Sequence, residues 1–267
     1  MLIICALVTT VVACTRNAIT GRNQLALLSE TELQSMAAQE YQQFLSQNRV
    51  VSASANKDAE MVRRVGQRLT SAITEYYTKK GLASELQGYN WEYNLIDSKD
   101  ANAWAMPGGK IVVYTGLLPI TQNEAALAVV IGHEITHAIA RHGNERMSQA
   151  MVTQGIGAVG GVLTSGNEQV SNIFNAVYGP GAQIGYLLPN SRKQELEADR
   201  YGLIFTALAG YNPQEAIPLW ERMAQGGGER PPEFLSTHPS EGTRIERLRE
   251  LMPEALKYYK PLKNSRR

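Results

Sequence analysis

The sequence predicts an α+β fold, a mainly helical body carrying a small β-sheet beside one buried helix. Three observations carry that expectation. The first half of the stretch 125–142 is apolar on every face, the pattern of a helix enclosed by the rest of the protein. Residues 89–96 alternate Trp91, Tyr93 and Leu95 with polar neighbours, and 110–114 follow the turn Pro107-Gly108-Gly109, so a sheet of two or three strands is expected. Amphipathic helical patterns fill most of the remaining chain, which places helices against a small sheet.

In chain order, residues 1–13 are apolar and too short to span a bilayer as a mature helix. They end in Val11-Val12-Ala13-Cys14, which resembles a bacterial lipobox with Cys14 as the lipidated new N-terminus. The basic residue that usually precedes the apolar run of a signal peptide is absent. On this reading residues 1–13 are a signal peptide, 14–28 a lipidated tether, and 29–267 a single domain. Cys5 then leaves with the signal and Cys14 carries lipid, so no disulfide supports the mature chain.

A first helix opens at the capping box Ser29-x-x-Glu32 and runs to about residue 47, with Leu33, Met36, Tyr41 and Phe44 near one face. A second spans about 57–80 and carries Val62, Val65, Leu69 and Ile73. The buried helix has its own capping box, Thr121-x-x-Glu124. The Gly-rich stretch 155–166 is too short and broken to cross a membrane and reads equally as a mobile flap over a cleft or as a loop with some helical packing. Further helices are expected over 191–209, closed by Gly210, over 213–224, and from about Ser240 onward. Between the last two, Gly226-Gly227-Gly228 and Pro231-Pro232 make a loop. With 26 Lys plus Arg against 25 Asp plus Glu, no global field recruits nucleic acid, and no nucleic-acid partner is expected.

The chemistry sits in the buried helix. Burying His133, Glu134 and His137 is costly unless they are paired or hold a metal. His133 and His137 are four apart and share a face. In the H-E-x-x-H arrangement they are zinc ligands, and Glu134 is the general base for the attacking water. A site of this type needs a third ligand and gains from a carboxylate that fixes a ligand imidazole. Glu195 and Asp199, four apart on the 191–209 helix, can fill those two jobs. Glu197 is turned away from them and reads as an ordinary solvated residue. His142 lies off the shared face and reads as structural. A metzincin motif would need glycine at Ala140 and histidine at Gly143.

His133-Glu134-Ile135-Thr136-His137 followed by Glu195-Leu196-Glu197-Ala198-Asp199 resembles the gluzincin group that contains the CaaX prenyl proteases, HtpX and the mitochondrial overlapping-activity protease. It is most similar to the bacterial lipoprotein or periplasmic members, the LoiP-like and BepA-like proteases. The likeness includes the segment 102–109, the residues Thr237-His238-Pro239, and Arg244. The sequence departs from HtpX in showing no transmembrane pattern, and it is expected to differ from BepA in its lack of a repeat domain.

The resemblance implies one Zn²⁺ per chain on His133, His137 and Glu195, with Asp199 in support. It implies that His238 and Arg244 stabilise the oxyanion, or that His238 caps the metal at rest. An extended substrate is expected to add to an edge strand near 110–114 by main-chain hydrogen bonds, with Asn102, Ala103, Lys110 and Val112 along it. The implied function is a zinc-dependent endopeptidase of the bacterial cell envelope that hydrolyses misfolded or unassembled envelope proteins. Its expected place is the periplasmic face of the outer membrane, with the inner membrane or soluble periplasm as alternatives. Its expected partners are unfolded proteins, the membrane through the lipid, and outer-membrane assembly machinery. The alternative is a zinc-containing chaperone or assembly factor with a closed, weakly active site. Glu134 argues against it, because a structural zinc site needs no base.

Overall fold

The computed structural model describes residues 14–154, 168–178, 191–225, 234–235 and 243–262. At its start β1 (Cys14–Arg16) pairs antiparallel with β2 (Asn23–Leu25) in a hairpin. Helix α1 (Glu30–Gln47) begins where its capping box predicts, the Ser29 side chain accepting from the Glu32 amide. After β3 (Val50–Val51), α2 (Lys57–Lys79) is capped by Asn56, whose side chain accepts from the Asp58 and Ala59 amides. The remaining strands are β4 (Glu92–Ile96), β5 (Ala103–Met106) and β6 (Lys110–Tyr114).

The sheet has the order β3-β4-β6-β5, with β4 and β6 parallel and the other pairs antiparallel. Side chains alternate between its faces. Leu95, Ile111 and Val113 join the main core with Val65 and Leu69 of α2, while Ile96, Met106 and Val112 join Leu33, Tyr41 and Phe44 of α1. Helices therefore cover both faces, and only the outer strands have open sides. This corrects the position of the edge. β6 is paired on both sides, so Lys110 and Val112 lie mid-sheet, and the edge nearest the sequence motif is β5 with Asn102 just before it. The Lys110 ammonium is buried, donating to the Asn90 carbonyl at 2.8 Å and to Glu92 at 2.5 Å.

Past the sheet come α3 (Leu118–Thr121), the buried α4 (Glu124–Ile139), α5 (His142–Thr153) and α6 (Glu168–Tyr178). Then follow α7 (Arg192–Leu208), α8 (Ala216–Gln225) and α9 (Arg244–Leu256). The cap of α4 differs from the expected one. Thr121 ends α3, Gln122 turns left-handed at φ 64°, and Asn123 caps α4 by accepting from the Ala126 amide. At its other end α4 stops at Ile139, and Arg141, at φ 56°, swings the chain into α5. The capping box of α7 is present in full, formed by Ser191 and Gln194.

The crossing of α4 with α7 is close. A Cβ on Gly202 would lie 3.0 Å from both Cα and N of His133, and one on Gly132 would lie 3.0 Å from the Gly202 carbonyl oxygen. Glycine facing glycine lets the two backbones touch, and this contact brings the ligand-bearing turns together.

Residues 14–28 are not the loose tether the sequence suggests. Arg22 forms ion pairs with Glu145 and Glu197, Gln24 is buried and donates to the Ala140 carbonyl, and the Tyr201 hydroxyl donates to the Ile19 carbonyl. Polar composition reads as linker until its partners, more than a hundred residues away, are known. The signal reading of 1–13, the flap or loop reading of 155–166, the Gly/Pro loop of 226–232 and the start of the last helix near Ser240 fall outside the described residues.

Candidate metal centre

His133, His137 and Glu195 converge as a buried cluster. His133 Nε2 lies 3.0 Å from His137 Nε2, and these atoms stand 3.5 and 3.3 Å from the Glu195 carboxylate oxygens. A tetrahedral ion with bonds of 2.0–2.1 Å separates its ligand atoms by about 3.3 Å. Two imidazole nitrogens and a carboxylate oxygen at that spacing are a donor set made for one metal ion. Glu134 is buried beside them on α4, its side chain following that of His133 around the helix.

The electrostatics agree with that use. Burial pulls His133 down, but hydrogen bonds to Asp199 and Glu195 outweigh it and lift its pKa to about 9. Burial draws His137 well below the ordinary imidazole value, with Glu195 opposing. The positive charge beside the Glu195 carboxylate is thus favoured on His133 and disfavoured on His137. Asp199 receives His133 Nδ1 at 3.0 Å and Arg244 at 2.6 Å. Burial raises the Asp199 carboxyl, yet Arg244 and His133 hold it below its ordinary value.

The sequence-predicted residues divide clearly. His133, Glu134, His137, Glu195 and Asp199 come together as expected from their spacing. Arg244 also reaches the site, but its buried guanidinium is engaged there: it donates to Asp199, stands 3.2 Å from Glu195, and lies 3.5 Å over the Trp220 ring. Its hydrogen bond to Asp199 runs through one terminal nitrogen, while Nε and the other terminal nitrogen make no hydrogen bond among the described residues. His238 lies outside the described residues.

Two site residues were missed by sequence reasoning. His142 Nδ1 is 2.8 Å from His137 Nδ1, and its Nε2 is 2.9 Å from Glu197. Glu197 is therefore no solvated bystander. Helical periodicity carried past residue 140 puts His142 on the wrong side, and the left-handed turn at Arg141 is what returns it.

The model of peptidase family M48 matches residues 57–252, most of the chain and every site residue named above in this subsection. The chain belongs to peptidase family M48. Among M48 relatives, the mitochondrial metalloendopeptidase OMA1 of Saccharomyces cerevisiae is 37% identical over 185 residues, covering 66% of this chain and 51% of that protein. The OMA1 metalloendopeptidase of Homo sapiens is 29% identical over 90% of this chain and 46% of its own length. The β-barrel assembly-enhancing protease of Escherichia coli is 30% identical over 65% of this chain and 37% of its own length. The chain thus spans about half the length of the yeast M48 relatives.

These M48 relatives correct the expected location. The yeast mitochondrial enzymes, at 37% and 36%, match at higher identity than the bacterial one at 30%, which overturns the reading of a periplasmic lipoprotein held to an outer membrane through Cys14. Cys14 itself is an exposed thiol at the start of β1, paired through its backbone with Leu25. No described helix is long and apolar enough to cross a membrane.

Proposed function

We propose that this chain is a zinc-dependent endopeptidase that cleaves extended segments of unfolded or unassembled proteins. The observation that carries the reading is the spacing of the ligand groups, 3.0 Å between the two Nε2 atoms and 3.3 and 3.5 Å from them to the two Glu195 oxygens, with a buried carboxylate next to them on α4. Family membership and the names of the relatives, all proteases, support it.

His133, His137 and Glu195 would hold the zinc, leaving a coordination position for substrate and water. Bound there, the ion supplies Lewis-acid polarisation of the scissile carbonyl and acidifies water. Glu134 takes the proton from the attacking water and delivers it to the leaving amine, its carboxylate serving as base and then as acid. Asp199 accepts from His133 Nδ1 and so keeps Nε2 of that ring turned toward the ligand cluster. Arg244 holds Asp199 in place and keeps it ionised.

The substrate class follows from β5. The Tyr114 amide donates to the Asn102 carbonyl, so even-numbered residues of this strand face β6 and odd-numbered ones turn their main-chain groups outward. The outward Ala101 carbonyl accepts the Phe234 amide at 3.1 Å, a main-chain pairing on that side which supports this reading. A substrate strand recruited in that way is read through its backbone, which suits chains that have lost their fold.

The test is digestion of casein by the purified, zinc-loaded chain, beside Glu134→Gln. Internal cleavage by the wild type alone, with equal zinc in both proteins, is the expected result. Equal cleavage by the two, or none by a fully loaded wild type, would overturn the reading.

A further inference from the structure

The two ligand histidines are braced by different devices. For His133 the brace is short: Nδ1 to Asp199 at 3.0 Å, and Arg244 to the same Asp199 oxygen at 2.6 Å. For His137 it is long. His137 Nδ1 meets His142 Nδ1 at 2.8 Å, and His142 Nε2 meets Glu197 Oε2 at 2.9 Å. Arg22 then closes on Glu197, with Nε 2.7 Å from Oε1 and a terminal nitrogen 3.1 Å from Oε2. The terminal nitrogens of Arg22 also hold Glu145, at 2.5 and 2.7 Å, and Gln194 donates to Glu145 at 2.8 Å. The His142 ring is fully buried, with side-chain exposure of 0%, against 16% for Glu197.

The direction of every bond in this line is forced once His137 offers Nε2 to a metal. Its single proton then sits on Nδ1 and is donated to His142. His142 accepts at Nδ1, so its own proton sits on Nε2 and goes to Glu197, which as a carboxylate only accepts. Arg22 has donors alone and can only complete the line. The reverse order fails: a proton on His142 Nδ1 would push that of His137 onto Nε2, where no metal could bind.

We propose that His142, Glu197 and Arg22 form a positioning relay that fixes the tautomer and aim of His137, making the N-terminal hairpin part of the metal-holding apparatus. The relay rests on the ligand assignment made above. None of its members touches the reacting atoms. Arg22, between β1 and β2, lies outside the matched residues 57–252, so a segment beyond the family match braces the metal centre. The relay and the Asp199–Arg244 brace end alike, in a carboxylate locked by an arginine, and differ by one interposed imidazole.

The experiment uses the full chain and zinc alone. Zinc Kd is measured by competition with a chromophoric chelator, and melting temperature is measured with and without zinc. His142→Phe should raise the zinc Kd by about 10–100-fold, and Glu197→Gln should raise it less. The double variant should bind zinc no more weakly than His142→Phe alone, because Glu197 reaches the metal only through His142. His142→Asn keeps an acceptor near the Nδ1 position and should recover part of the loss. Long-range ¹H–¹⁵N spectra, simplified by a total of four histidines, should show His137 protonated on Nδ1 and His142 on Nε2. If His142→Phe does not fold, Arg22→Met carries the same test from a half-exposed position, and its zinc Kd should rise at least severalfold. Zinc Kd within about twofold of wild type in the variants, additive effects in the double variant, or His142 protonated on Nδ1 would overturn the relay while leaving the ligands standing. A wild-type chain that takes up no zinc would overturn the ligand assignment and the relay together.

Discussion

Adding one methyl group at Gly202 should open the metal centre without altering a single ligand. A Cβ there would sit 3.0 Å from His133 Cα and N and 3.2 Å from the Gly132 carbonyl carbon, all of them backbone atoms of α4. Carbon atoms pack at about 3.5–4.0 Å, so the two helices must part by roughly 0.5 Å. Two ligands ride on α4 and the third on α7, with gaps of 3.3 and 3.5 Å between them. Functional constellations tolerate displacements of about 0.5 Å, so the change reaches the limit of what a metal accepts. Stability should suffer far less. Alanine gains about 1 kcal/mol over glycine inside a helix, against about 1–3 kcal/mol for overpacking, a net loss of about 0–2 kcal/mol. For a domain of this size that is at most about 8 °C in melting temperature. Chelator competition on the folded Gly202→Ala chain, with melts of the metal-free protein alongside, separates the two effects. Zinc affinity should drop at least about tenfold while the fold persists. An unchanged zinc affinity would refute the claim that glycine-to-glycine contact sets the ligand spacing.

Four further outcomes follow from the geometry. Glu195→Gln should lose zinc on dialysis against a chelator while keeping its helical circular dichroism, since two histidines hold the ion poorly; retention of one zinc per chain would remove Glu195 from the ligand set. Asp199→Asn should keep the ligands but weaken zinc binding by about 10–100-fold, read by the same competition assay. Ala105→Pro removes an outward main-chain donor from β5 without touching its pairing to β6, so KM for an extended substrate should rise with kcat little changed. The Glu145 carboxyl is held below its ordinary value of 4.5 by Arg22 and Gln194, although burial opposes them. A depressed folded pKa means stability that is fully present above 4.5 and is lost as pH falls through the folded value. The gap in urea midpoint between wild type and Glu145→Gln should therefore be constant near neutrality and shrink below pH 4.5. A gap that widens in acid would contradict it.

The parts legible in the sequence are those whose signal is local. Ser29 and Ser191 cap α1 and α7 with their own side chains, and His133, His137, Glu195 and Asp199 keep the faces that helical spacing assigns. Where two residues compete for one local role, sequence reasoning chose wrongly: Thr121 and Asn123 both have cap chemistry, and the left-handed Gln122 between them decides for Asn123. β3 is two residues long and β5 buries its two ends, so neither shows the alternation that marks a strand. The illegible parts are long-range. Arg22, Gln24 and Glu197 look like solvated polar residues until α5 and α7 supply their partners. The edge was misplaced for the same reason, since pairing on both sides of β6 is a property of the sheet and of no single strand. Location and substrate setting were inferred from the lipobox-like start, which the relatives do not support.

The central claim is that His133, His137 and Glu195 hold one zinc ion, and anomalous diffraction at the zinc edge tests it most directly. Crystals of the full chain grown with zinc should give one strong peak per molecule, about 2.0–2.2 Å from Nε2 of both histidines and from a Glu195 carboxylate oxygen. A peak bound by other residues, or no peak from crystals containing the intact cluster, would contradict the account.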